Sequence, residues 1–213
     1  MIRPWNEKYW FSPCYVINEW ARQKKAGNKK IKKYEEAWVC AVTLICSHND
    51  EEWWIQVPLQ INSTPDVIAM KIIPNKNGIG QDLGFTEFEI FEIREFDKET
   101  IESSIERKLS NKDYSNIILI GFIRRNIIFD YVKVSEYIQN LKPKAMGIFL
   151  LVSETVNPNF SVVQIYPEPI KLKEYNFGLH CKNSNQRDFV EMIRGTKISN
   201  IDNNTDDFLT LVP

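Results

Sequence analysis

The chain has 213 residues, 43% of them hydrophobic, enough for one substantial core and at most a small appendage. It contains no apolar run long enough to span a bilayer, and its N-terminal MIRPWNEKYWF lacks the basic-then-apolar order of a signal peptide, so a cytoplasmic protein with no membrane partner is expected. Only His48 and His180 are present, and Cys14, Cys40, Cys46 and Cys181 show no CxxC spacing, which sets aside histidine triads, zinc sites and disulfides and leaves carboxylates to carry any chemistry.

The net charge of -1 hides an uneven distribution. RQKKAGNKKIKK, residues 22 to 33, holds seven basic residues and no acid. Its lysines Lys24, Lys25, Lys29, Lys30, Lys32 and Lys33 suit phosphate contact with counterion release, and they equally suit a solvated helix entry. From Lys29 to Ser47 the apolar residues Ile31, Tyr34, Trp38, Val42 and Ile45 keep helical spacing, with Glu35 beside the stripe and Glu36 further off. WWIQVPL (53 to 59) and DVIAMKII (66 to 73) read as strands, and the Gly- and Asn-rich PNKNGIGQDLG (74 to 84) as a loop. Residues 86 to 96 form a third predicted strand, after which Asp97 is placed to cap a helix through Ile101, Ile105 and Leu109.

NIILIGFI (116 to 123) is a continuous apolar run, as expected of a central strand covered on both faces. Ile128, Tyr131, Val134, Ile138 and Leu141 predict a second helix that Pro143 stops, and GIFLLVS (147 to 153) with FSVVQIY (160 to 166) predicts a terminal hairpin. RDFVEMIRG (187 to 195) reads as a short helix, followed by a polar tail. The expected class is α/β (α+β), a central mixed sheet flanked by helices in the order α-β-β-β-α-β-α-β-β. Residues 1–170 would form one domain with an aromatic-rich N-terminal extension, and 171–213 a C-terminal extension.

Two strands each bring a carboxylate. TEFEIFEIREFD, residues 86 to 97, sets four glutamates and an arginine in an otherwise apolar strand, and STPDVIAMKIIPN upstream opens with Asp66 directly after Pro65. Residues two apart on a strand share a face, so Glu92 and Arg94 project together, in line with Phe88 and Ile90. Glu87, Glu89 and Glu95 lie on the opposite face and are expected to reach solvent, with Glu89 a fallback ligand if a bulge shifts the parity. Lys71 is expected to be structural, and Trp5, Trp10, Trp20, Trp53 and Trp54 to belong to the core.

The element order, with Pro65-Asp66 and Glu92-Ile93-Arg94, resembles the PD-(D/E)XK nuclease superfamily over roughly residues 28 to 125. The resemblance implies a restriction-endonuclease-like fold, with Asp66 and Glu92 holding Mg²⁺ or Mn²⁺ and a helix-one glutamate, Glu35 or Glu36, assisting. It implies a metal-dependent nuclease acting on DNA or RNA, with lysines 24 to 33 gripping the backbone. Arg94 departs from the pattern, which has lysine there: a guanidinium does not readily serve as a base, but it can hold phosphate with two prongs. The alternative is a catalytically silent module of that fold that binds nucleic acid or a protein partner.

Overall fold

The computed structural model describes residues 9–27, 32–47, 52–56, 65–74, 81–94, 99–124, 127–153, 159–176, 181, 189–191, 197–198, 208–209 and 211–212. The chain is mixed α/β. It opens with strand β1 (Tyr9–Phe11), helices α1 (Pro13–Lys25) and α2 (Lys32–Ser47), then strands β2 (Trp53–Gln56), β3 (Val67–Pro74) and β4 (Gln81–Ile93). Helix α3 (Ile101–Leu109), β5 (Tyr114–Ile123), α4 (Tyr131–Asn140), β6 (Ala145–Ser153), β7 (Asn159–Tyr166) and β8 (Ile170–Asn176) follow. Four short strands complete the described elements: β9 (Phe189–Glu191), β10 (Lys197–Ile198), β11 (Phe208–Leu209) and β12 (Leu211–Val212).

Among the described residues a ten-stranded sheet runs in the order β8-β7-β6-β5-β4-β3-β2-β1-β9, with β11 pairing β4 off that path. Strand β5 is parallel to both β4 and β6, whereas the hairpin strands around them are antiparallel. Neighbours on both sides explain the unbroken apolar run of β5, since each of its faces meets a different core. Ile120 and Phe122 join the core under α1 and α2, while Leu119 and Ile123 join the core under α3 and α4. The same alternation divides β6, where Phe149 and Leu151 face one way and Ile148 and Leu150 the other. Trp10, Trp54 and Met70 form a third, smaller core.

Helix α2 is buried along most of its length from Glu36 to Cys46, and its Trp38 stacks on Trp20 of α1 at 4.5 Å between ring centres. Burial raises the Cys40 thiol well above its ordinary value and pushes Cys46 up to about 12, so both act as small apolar residues. Among the described residues no helix is long and apolar enough to cross a membrane.

Several boundaries differ from the sequence reading. Residues 13–25 form α1, started by Ser12, whose hydroxyl accepts from the Tyr15 amide at 3.2 Å, with Pro13 in the first turn. Residues 81–84, read as loop, are the start of β4, because β3 pairs with them from Lys71 to Pro74. Asp97 lies outside the described residues, and the cap of α3 is Thr100, which accepts from the Ser103 amide at 3.1 Å. Helix α4 begins only at Tyr131, with Asp130 accepting from the amides of Val132 and Lys133, and Ile128 is left fully exposed before it. Phe189–Glu191, inside the expected helix 187–195, is a strand, since pairing with β1 overrides the local helical pattern. The hairpin β6–β7 is not terminal, because β8 pairs onto it.

Candidate functional site

The site forms where β3 and β4 part. Their pairing begins at Val67 opposite Phe88, whereas β4 continues beside β5 to Ile93 opposite Ile123. The Ile90 amide therefore lies past the first paired residue of β3. Asp66 meets it: its Oδ2 accepts from the Ile90 amide at 2.9 Å, and its own amide donates to the Phe88 carbonyl at 3.0 Å. A side chain thus extends the ladder where the backbone of β3 turns away.

The first turn of α2 faces this split. Lys33 Nζ lies 3.2 Å from Glu36 and 3.6 Å from Asp66, and Lys32 Nζ lies 3.4 Å from Glu36. Glu36 is only 6% exposed, so it is the more deeply set of the two α2 glutamates, contrary to the helical-stripe reading. Among the described residues its Oε2 has no hydrogen-bond partner, although Lys33 Nζ stands at ion-pair distance, 3.2 Å away. Burial pushes the Glu36 carboxyl up, and the charge of Asp66 adds to the rise.

A second group adjoins the first. The Arg124 guanidinium bridges Glu35 and Glu92, bonding Glu35 Oε2 and, at 2.9 Å, Glu92 Oε1. Arg94 Nε donates to Glu92 Oε2 at 2.7 Å, so Glu92 and Arg94 do share a side of β4. Burial alone would raise the Glu92 carboxyl, but the Arg94 hydrogen bond and the charges of Arg124 and Arg94 outweigh it and hold the group below its ordinary value. Arg124 is fixed from other directions too. Its amide donates to the Ile93 carbonyl at 2.9 Å, continuing the parallel ladder, and its guanidinium lies over the Phe122 ring at 4.8 Å.

Asp66, Glu92, Arg94, Glu35 and Glu36 are therefore gathered into two adjoining ion-pair groups, joined through consecutive residues of α2. Four carboxylates meet four cations: Lys32, Lys33, Arg94 and Arg124. Arg124 escaped the sequence reading. Its signal lies in the register: once β4 and β5 are parallel with Ile93 opposite Ile123, the first residue after NIILIGFI must stand beside Arg94.

Lys24 and Lys25 are exposed in the last turn of α1, with Lys24 Nζ 4.7 Å from the Trp20 ring centre. Lys29 and Lys30 lie outside the described residues. Glu89 sits on the opposite sheet face, but it is buried and not solvated: its oxygens accept from Lys108 at 2.8 Å and Lys112 at 3.0 Å. Trp10, Trp53 and Trp54 are buried and Trp20 packs against the core, while Trp5 lies outside the described residues.

No family model, curated protein or solved structure matches this chain.

A divalent ion calls for several oxygen donors directed at one point. Among the described residues no three His, Cys, Asp or Glu side chains are grouped to hold one. Asp66 gives an oxygen to a backbone amide, and both Glu92 oxygens accept from arginines. In this arrangement the donor set of Asp66 and Glu92 does not fit Mg²⁺ or Mn²⁺. What it can do is hold two guanidinium groups in fixed positions at the end of a sheet.

Proposed function

We propose that the chain is a nucleic-acid-binding module of nuclease-like architecture, a catalytically silent relative in pattern of the PD-(D/E)XK superfamily, that grips the phosphate backbone without hydrolysing it. The observation that carries this reading is Arg124, held between Glu35 and Glu92 with Arg94 alongside. Guanidinium groups match phosphate oxygens in geometry, and buttressing by carboxylates removes part of the ordering cost of binding. The exposed Lys24, Lys25 and Lys32 extend the same charge along α1 and α2 toward a second stretch of backbone.

Fluorescence anisotropy with labelled duplex DNA, single-stranded DNA and RNA, in EDTA, tests the reading. Binding at low salt that weakens steeply as salt rises is expected, with Arg94→Ala and Arg124→Ala each weakening it across all sequences. Absence of binding at low salt sinks the proposal. Cleavage of any of the three in Mg²⁺ or Mn²⁺, abolished by Glu92→Gln, replaces it with the metal-dependent phosphodiesterase implied by the sequence resemblance.

A further inference from the structure

We propose that Arg124 is the resident cation of this site: its guanidinium takes the place between Glu35 and Glu92 that a divalent metal would otherwise hold, and makes the cluster independent of metal. The inference deepens the phosphate-binding reading by saying how that site is kept ready, and rests on it only for the identity of the ligand.

Three observations converge. Glu35 and Glu92 come from elements remote in sequence, the first turn of α2 and the end of β4, yet both bond the same nitrogen, Arg124 Nη2. Two carboxylates brought this close repel unless a cation stands between them. The Arg124 side chain is about one-third exposed, and those of Glu35 and Glu92 are 17% and 23% exposed, so solvent screens the pair only in part. Finally, Arg124 is attached where it cannot drift away: its backbone continues the β4–β5 ladder and its guanidinium rests on Phe122. A metal would have to displace a cation already tethered to the protein, whose effective concentration at the site is high.

Removing that cation should therefore create metal dependence. Arg124→Gln leaves Glu35 and Glu92 facing each other with Arg94 on the far oxygen of Glu92. Its melting temperature in EDTA should fall below wild type. Mn²⁺ at about a hundred times its dissociation constant should restore roughly 5 °C, whereas wild type should not respond. The Glu35→Gln/Arg124→Gln double variant should lose the Mn²⁺ response again. Wild type stabilised by Mn²⁺ as strongly as Arg124→Gln, or a folded Arg124→Gln indifferent to Mn²⁺, overturns the proposal.

A second arm does not depend on the variant folding. Mn²⁺ electron paramagnetic resonance on wild-type protein should find no bound ion at roughly micromolar free metal, a concentration at which a dedicated site would fill. A bound ion lost in Glu92→Gln overturns the proposal. Wild type that ignores Mn²⁺ and also fails to bind nucleic acid loses the phosphate reading and keeps this one. Nucleic-acid binding that requires Mn²⁺ does the reverse.

Discussion

Replacing Asp66 separates its hydrogen bond from its charge. Asp66→Ala leaves the Ile90 amide without its acceptor and should destabilise the fold by about 1–3 kcal/mol in denaturant unfolding, while Asp66→Asn, which keeps an acceptor oxygen, should cost less than half of that. Glu89 and Glu36 should show opposite pH behaviour. Burial would raise the Glu89 carboxyl, but hydrogen bonds and charge from Lys108 and Lys112 bring it below its ordinary value. Its contribution is then full above the unfolded carboxylate value of about 4.3 and is lost as pH falls through the lower folded value. Glu89→Gln should lower stability by about 2 kcal/mol at neutral pH, the lysines being partly exposed, and the gap to wild type should narrow in acid. Glu36 is raised, chiefly by burial and then by Asp66, so its charged form disfavours folding as pH climbs past the unfolded value. The stability of Glu36→Gln relative to wild type should therefore improve between pH 4 and 7, as melting curves across that range would record.

The elements carry their own tests. Gly121 sits mid-β5, where a Cβ would come within 2.7 Å of Leu150 Cδ2 and 2.9 Å of Phe91 Cζ. Gly121→Ala should destabilise by about 1–3 kcal/mol through overpacking, measured by chemical denaturation. Thr100→Ala removes the α3 cap and should cost about 1 kcal/mol. Elements whose signal is local were legible in the sequence. The helical spacing of α2 and the apolar run of β5 announce themselves because both are buried along a stripe or on both faces. The start of β4 did not, since Gly84 and its neighbours become strand only when β3 lies beside them. Helix α1 was hidden for a different reason. Its apolar stripe of Val16, Ile17 and Trp20 is short and runs straight into the basic block, although Ser12 and Pro13 mark its beginning.

At the scale of the molecule, charge is segregated rather than large. With a net charge of -1, the proposed nucleic-acid contact would draw on the α1–α2 lysines together with Arg94 and Arg124, so Lys24→Gln/Lys25→Gln should lower the slope of log affinity against log salt by up to about 2, with little change in melting temperature. A slope unchanged from wild type would place the contact elsewhere. The candidate site was half legible by the same logic of scale. Glu92 and Arg94 share a face through strand periodicity alone, and that much follows from two residues of sequence. The contacts of Asp66 with Lys33 and of Glu35 with Arg124 depend on where whole elements come to rest, and no local pattern encodes them.

Strand β1 lies between β2 and β9, with Trp10 opposite Val190. Its second partner is thus made 180 residues later, as the pairing of Trp10 with Val190 records. On the ribosome, β1 emerges well before β9 and must wait, its outer edge open, until β9 follows. Closing so long a loop is entropically slow, and an open strand edge is a template for pairing with other chains. Nascent chains stalled before β9 should therefore be the form most prone to aggregate, and the step most in need of a chaperone is the arrival of β9.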